Sequence, residues 1–315
     1  MAASGSNLRI TYVEETTWGV TPTTPEMKIL SGVTSESLGG SQESIVSNEL
    51  NPNRGVNYSA PGQKNAGGDI SFELGVRGAV SLLAKLLGNV ATTGAGPYTH
   101  VLTVGTGPKS VTFEKWSTDY ELGFVLRGCK PNGFNLAVNS SGAATGSINF
   151  LGKNYSATDT ELDATPIDSS HSFFDGLRAS VLVGGVSYDM VSLAFDGTNN
   201  LEDSRVIGKD ESAGLTPARF DINGSFSIPY VDNVLILKAI NGEEDDLKLT
   251  FSNGTHSIEF LFPRIKYFGD PVPKAGGQGA LNVELSFNAL LDNDSLSPTY
   301  KKAIQITVIN DEAVL

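Results

Sequence analysis

Enzymatic chemistry needs titratable side chains that can converge, and this chain offers few. Its three histidines are His100, His171 and His256. None lies near another in sequence, and none falls in HExxH or a similar metal-ligating spacing. Each reads as an ordinary strand or turn residue. The lone cysteine, Cys129, excludes an intrachain disulfide and a thiolate zinc site. It reads as a small buried hydrophobe. GTGPKS at 105–110 has a faint likeness to a phosphate loop. It lacks the GxxxxGK[ST] spacing and precedes a strand, whereas a phosphate site needs a helix N-terminus; it reads as a hairpin turn. DNDS at 292–295 offers Asp292 and Asp294 as oxygen ligands. The rest of a calcium loop, including its bidentate Glu, is missing. There is no GxSxG elbow for a nucleophilic serine. The sequon Asn253-Gly254-Thr255 has no meaning without secretion. No catalytic, cofactor-binding or metal-binding residues are therefore assigned, and no enzyme activity is expected.

The elements that would position such groups are those of a β protein. The 315 residues suffice for one large or two ordinary domains. With 35 Gly and 14 Pro, the composition suits many short strands joined by turns. Charged residues make up 18%, which is low for a disordered chain and fits surfaces covered by neighbours. The net charge is −13. Residues 1–165 hold 11 Lys+Arg against 14 Asp+Glu, and residues 166–315 hold 11 against 21. Phosphates bind by exchanging counterions for Lys and Arg, so a specific DNA binder is excluded, while an acidic surface past which DNA slides is not. The N-terminal MAASGSNLRI has neither a basic n-region nor an apolar h-region, and no apolar run approaches the ~20 residues of a membrane span. The expectation is synthesis in a cytoplasm and no membrane partner.

Along the chain, residues 1–27 read as an extended arm that gains order by lying on another domain or subunit. Trp18 is its candidate anchor, filling either a partner's pocket or a site on its own domain. A strand over 28–40 precedes the polar stretch 41–66. A structureless loop of that length tends to be functional. It reads as an interaction loop, with Ile45, Leu50, Asn53, Arg54 and Val56 as candidate contacts between subunits or rings. GGDISFELG is a strand, with Ile70, Phe72 and Leu74 on one face. The spacing of Val80, Leu83, Ala84 and Leu87 predicts a helix over 76–88, stopped by Gly88. Short alternating runs follow: PYTHVLTV, SVTFEKW, YELGFVLRG, FNLAVNSSG and GSINFLG. Residues 154–172 read as a linker.

The second half runs through the same order of elements. ASVLVGG and YDMVSLAFDG lead to a polar stretch at 197–219, then to RFDINGSFSIPY and a helix in DNVLILKAING. SLLAKLLGN (81–89) and VLILKAING (234–242) align without gaps, with Leu82 opposite Leu235 and Lys85 opposite Lys238. DLKLTFSNG, HSIEFLFPRIKYFG and GALNVELSFNALLD complete the copy. The acidic run 243–246 reads as a solvated turn. The fold class expected is mainly β. It comprises two tandem copies of a β-sandwich or small-barrel domain, each with one short flanking helix, over residues 1–165 (with the arm) and 166–315. A period near 150 residues is too long for a solenoid. Closed rings need a heterologous interface, and six such domains could come from three chains.

These segments resemble the tail tube proteins of long-tailed bacteriophages, the siphophage major tail proteins. EETTWGVTP, the SNEL…NRGV stretch, GGDISFEL with LLAKLLG, and FEKW with FVLRGCKPNGFNLAVNSSGAATGSINFLGK carry the resemblance. It covers most of 8–155 and, more weakly, 180–292. It implies a structural virion protein whose inner strands join across subunits into a barrel lining a tube. DNA would pass through an acidic lumen. It implies partners: copies of itself in trimeric, pseudo-hexameric rings (a hexamer being the alternative), a tape measure protein, a tail terminator and a distal tail protein. The location implied is the virion tail, after synthesis in the bacterial host cytoplasm. Other readings are a different virion β-protein, such as a tail terminator, capsid decoration protein or secretion-system tube, and a carbohydrate-binding β-sandwich. The last needs exposed aromatics and, for hydrolysis, paired carboxylates.

Overall fold

Alternation of apolar with Ser, Thr, Asn and Gly runs through most of the chain, and a period of two places one side chain in the core and the next outside. The computed structural model describes residues 4–168, 172–274 and 279–315. His171 lies outside the described residues.

In chain order, the first half contains β1 (Leu8–Glu14), β2 (Lys28–Ile29), β3 (Val33–Glu36), β4 (Gly39–Val46), β5 (Ser59–Glu73) and α1 (Ala79–Leu87). It continues with β6 (Gly88–Thr93), β7 (Tyr98–Val104), β8 (Val111–Ser117), β9 (Leu122–Asn139), β10 (Thr145–Gly152) and β11 (Asn154–Thr158). The second half has β12 (Ala179–Val183), β13 (Val186–Ser187), β14 (Ser192–Thr198), β15 (Glu202–Ser204), β16 (Gly214–Thr216), β17 (Asp221–Pro229) and α2 (Val234–Asn241). It ends with β18 (Glu244–Ser252), β19 (Ser257–Phe268), β20 (Asn282–Ala289) and β21 (Gln305–Asn310). The protein is mainly β, as its composition predicts.

The two halves share an order of antiparallel pairings. In the first, β1 pairs with β8, β8 with β9, β9 with β10, β10 with β5, and β5 with β3 and β4. In the second, β12 pairs with β18, β18 with β19, β19 with β20, β20 with β17, and β17 with β14. α1 follows β5 and α2 follows β17. Each helix ends on a left-handed glycine, Gly88 at φ +80° and Gly242 at φ +67°, the conformation a side chain resists and glycine accepts. Among the described residues, the β6–β7 hairpin has no counterpart in the second half.

β9 unites what reads in sequence as two strands. Its first part, Gly123–Arg127, pairs with β11, and its later part pairs with β10. The break expected at Pro131–Gly133 is a bulge. Gly133 opposes Asn149 and Pro131 opposes Phe150, so Asn132 is left without a partner in that ladder. A bulge both tolerates a proline and bends the strand, so β9 passes from one layer of the sandwich to the other. Its last seven residues, Gly133–Asn139, pair with all of β14. The sheets of the two halves are thereby one.

The core follows that join. Phe113 packs edge-on against Phe150 with ring centres 4.9 Å apart. Phe195 of β14 meets Phe260 at 5.3 Å and Phe262 at 5.0 Å, and reaches back to Phe134 of β9 at 5.9 Å.

Five expectations are corrected. Residues 8–14 are not a loose arm: all seven pair with β8, because the Leu8, Ile10, Tyr12 alternation makes a core strand. Residues 41–66 are not a structureless loop but most of the β4–β5 hairpin. Residues 154–172 are not a free linker over their described part. β11 pairs with β9, Leu162 N–H donates to Glu114 at 2.7 Å, and Asp163 accepts from Met27 N–H at 3.0 Å. Residues 105–110 are not a hairpin turn, since β7 pairs with β6 and β21 while β8 pairs with β1 and β9; the segment crosses between layers. The acidic run 243–246 is not a solvated turn. Asp245 accepts from Lys238 Nζ at 2.7 Å and Tyr267 OH at 2.8 Å, and Glu244 pairs with Arg264.

Two measurements check this account. Phe195→Ala empties the meeting point of the halves, and a buried Phe→Ala change costs about 3–5 kcal/mol; the urea midpoint should fall accordingly. Burial raises the Glu114 carboxyl above its ordinary value. The folded state then holds that proton more tightly, so this contribution is full at low pH and is lost as pH rises through the folded value. Glu114→Gln removes the titration. Its stability should decline less than that of the wild type between about pH 4 and pH 7, by urea unfolding.

Candidate assembly surface

Six strands stand side by side in the order β5, β10, β9, β14, β17, β20. Their inward residues are large and apolar, among them Ile70, Ile148, Leu136, Phe195, Phe226 and Leu285. Their outward residues are small and polar, and the register aligns them in rows. One row reads Ser71, Ser147, Asn135, Asp196, Asn223 and Asn288. The next reads Glu73, Thr145, Ala137, Ala194, Ser225 and Ser286. Side-chain amides bridge neighbouring strands, Asn135 Nδ2 to Ser147 Oγ at 2.8 Å and Asn149 Nδ2 to Asp69 Oδ1 at 2.9 Å.

The charge on this sheet has one sign. Segments 66–73, 133–139, 145–152, 192–198, 221–229 and 282–289 contain Asp69, Glu73, Asp196, Asp221 and Glu284, and none of the chain's 22 Lys and Arg. Cations lie at its margins and on other strands: Lys64 on the outer part of β5, Lys130 opposite Leu151 at the end of the β9–β10 ladder, Lys266 of β19 opposite Asn288, and Lys115, Arg127, Lys248 and Arg264 on β8, β9, β18 and β19.

The ends of this row are unequal. β14 is paired on both sides, by β9 and β17. Its counterpart in the order of pairings, β3 with β4, pairs among the described residues with β5 alone. At the far end, Lys266–Phe268 of β19 pair with β20, and the chain then runs irregularly through Gly269–Lys274. Beside β3 lies an open groove of about 820 Å³ lined by Ile10, Leu30, Val33 and Ser35. The sheet thus has a free strand edge, which is a template for pairing with another chain.

A family model described as phage tail tube protein matches residues 5–289. The chain belongs to the phage tail tube protein family. That family is structural, and it places the chain in the virion tail. No curated protein sequence matches the chain.

The β4–β5 hairpin of the tail tube protein carries a group of exposed apolar side chains. All eight residues of β4 are exposed. Ile45 lies on that strand, Leu50 is wholly in solvent, and Val56 and Tyr58 stand on the returning arm. Asn53 and Arg54 lie at the tip, where Asn53 N–H donates to Asn51 Oδ1 at 2.8 Å and Asn51 Nδ2 to Gly55 O at 3.2 Å. The hairpin thus collects Ile45, Leu50, Asn53, Arg54 and Val56 on one projection. It bends away from the polar sheet at Gly67 (φ +142°) and Gly68 (φ +137°), where a Cβ would overlap the carbonyl oxygens of Phe150 and Ser37.

The polar stretch 197–219 grips the base of that hairpin. Arg205 donates to Lys64 O at 2.8 Å and Asn65 Oδ1 at 2.7 Å, and Lys64 N–H donates to Asp210 O at 2.7 Å. Lys64 Nζ also pairs with Asp210, whose carboxyl that hydrogen bond holds below its ordinary value.

Trp18 is not on the hairpin side of the molecule's contacts. Its Nε1 donates to Gly128 O at 2.9 Å, with Lys153 and Lys130 Nζ over the ring at 5.1 and 5.8 Å. Beneath it, buried Glu15 accepts from Gly19 N–H, Gly128 N–H and Thr112 Oγ1 at 2.7, 2.7 and 2.8 Å. In this chain Trp18 seals its own half.

The candidates for chemistry are dispersed. Buried His100 lies between Thr92 and Asn310 on β7, while His256 follows the β18–β19 turn. Cys129 is fully buried, and burial pushes its thiol up. Asp292 caps its own loop, accepting from Thr299 Oγ1 at 2.7 Å and Asp294 N–H at 3.0 Å. Sequence reasoning passed over the polar sheet face. Its signal was present in FNLAVN, GSINF, SLAFD and NVELSF, where every second residue is Ser, Asn, Asp, Glu or Ala.

Arg205→Ala removes two hydrogen bonds from the hairpin base. Amides 59–66 should exchange with deuterium at least about tenfold faster, by mass spectrometry, while β8 and β18 keep their protection.

Proposed function

We propose that this tail tube protein closes into rings of three chains, each chain supplying two similar domains, 1–165 and 166–315. The rings stack into a hollow tube through which double-stranded DNA passes. The observation that carries this reading is the six-strand sheet that spans both halves and whose inner segments carry five carboxylates and no cation. The matching order of pairings in the halves supports their origin by duplication. The β9–β14 pairing supports a model for the next junction: residues 266–272 of one chain would lie along β3 and the start of β4 of its neighbour. Three chains joined this way would close a barrel of about twenty-four strand positions, eight from each chain (β3 with β4, β5, β10, β9, β14, β17, β20 and the end of β19), with the polar rows inside.

The chemistry of that lumen suits transit. DNA binds by exchanging counterions for protein cations, so a wall dominated by Ser, Asn and carboxylates, with Lys266 as the cation of its junction strand, offers few sites where it would stall. The subunit's role is structural, with no reaction step. The tape measure protein, tail terminator and distal tail protein are the partners proposed at the tube's interior and ends. The host cytoplasm is the proposed place of synthesis.

Negative-stain electron microscopy of the purified chain at rising concentration, paired with light scattering, tests the assembly. Hollow tubes built from a three-chain mass unit are expected. Single closed rings would favour a terminator, and a monomer at every concentration a decoration protein. The lumen has its own test. Tubes of the Asn135→Lys, Asn223→Lys double variant should retain DNA in a filter assay at low salt and release it at high salt, whereas wild-type tubes should retain none.

A further inference from the structure

The two helices align residue for residue, yet one is covered and the other is not. All nine residues of α1 are buried, while α2 buries only Leu235 and Ile236. Val234, Leu237 and Ile240 of α2 are 49%, 53% and 62% exposed. Their spacing of three places them in one stripe along the helix. The aligned positions of α1 are Ser81, Ala84 and Leu87, all buried.

What covers α1 comes partly from the second half of the chain. Buried Asn199 donates from Nδ2 to the carbonyls of Leu86 and Pro131, at 3.1 Å each. Pro217 lies against Gly107. Gly107 belongs to the connector whose Gly105 and Lys109 N–H groups donate to Leu87 and Lys85 carbonyls at 2.7 and 2.8 Å. The segment 199–217 follows β14 and returns into β17. The β4–β5 hairpin stands in the same place in the first half, after β3 and before the inner part of β5. Among the described residues α2 has no such cover, and β18 begins at Glu244, three residues beyond the end of α2 at Asn241.

We propose that the β4–β5 hairpin of a second copy lies across α2, setting Ile45, Leu50 and Val56 against Val234, Leu237 and Ile240. The contact rests on the ring reading and repeats between chains what segment 199–217 does within one. Both surfaces are apolar and exposed in the single chain, where Leu50 is 103% and Val56 65% exposed. Burying both together removes water from the largest unpartnered side chains of each. The hairpin carries Arg54 at its tip, and α2 is flanked by Asp232 and Glu243, either of which could pair with it. Among the described residues the second half lacks a counterpart of the β6–β7 hairpin beside α1, a gap that the partner's hairpin would fill.

A photo-reactive benzoylphenylalanine at Leu237 of the full chain tests the contact in assembled tubes. Irradiation should give a two-chain adduct whose cross-linked peptide maps within 45–58. An adduct mapping elsewhere, or none in tubes that do form, overturns the proposal and leaves the ring reading standing. Leu50→Asp gives an independent readout, because Leu50 touches nothing in the single chain and its loss leaves the monomer folded by circular dichroism. The critical concentration for tubes should rise about tenfold or more; an unchanged value overturns the proposal. If the unmodified chain forms no tubes at all, the ring reading fails first and this contact with it.

Discussion

Backbone amides and carbonyls along a strand must be paired or wetted, and β9 is where this chain meets that demand on both sides at once. Eighteen residues long, it pairs with β8 and β11 in one layer and with β10 and β14 in the other. The bulge at Asn132 allows the crossing, since it adds twist and releases one residue from the ladder. Everything else is arranged about that strand. The sandwich of the first half closes on it. The second half is attached by its last seven residues, and the aromatic cluster around Phe195 fills the space beneath. A rigid join of this kind fixes the angle between the halves, and that angle sets the curvature of the polar sheet.

A second join lies on the opposite side. β21 lies between β7 of the first half and β19 of the second, with Val308 opposite both His100 and Ile258. Polar side chains finish it: His100 Nε2 donates toward Asn310 Oδ1 at 3.0 Å and Glu312 O at 2.9 Å, and Asn310 Nδ2 donates to Val76 O at 2.9 Å. Such a buried network fixes register more than it adds stability. With β9–β14 on one side and β21 on the other, the halves are held at two separated seams. Hinging between them would break backbone ladders at both seams.

The strands and both helices were legible because each carries its own period and its own stop. Gly88 and Gly242 end the helices where the alternation of Val80, Leu83 and Leu87, and of Leu235 and Ile236, gives out. Illegible in sequence were features made by distant partners. Nothing in SAPGQKNA speaks for a strand; β4 and the 205–210 clamp hold it there. The EEDD run looks solvated until Lys238, Tyr267 and Arg264 are brought to it by the fold. β6 was hidden because it follows α1 without a connecting turn. Ile45, Leu50 and Val56 stood out because an apolar residue in a polar run is conspicuous, and they share the β4–β5 hairpin with Asn53 and Arg54. The sheet face escaped notice for the converse reason, since Ser, Asn and Ala are conspicuous only when register lines them up.

That lined-up face also constrains how the gene can drift. Every asparagine codon stands one third-position change from a lysine codon. Asn135, Asn139, Asn149, Asn223 and Asn288 all lie on these strands. If these strands line the tube as proposed, replication keeps presenting lysines at the positions where a conduit for DNA would tolerate them least. Serine at the same sites would be further from lysine in the code but could not reach across to a neighbouring strand, as Asn135 reaches Ser147 and Asn149 reaches Asp69. The wall is built from the residue that ties its strands together best and mutates most readily into a trap, so a phage population would have to purge such changes generation after generation.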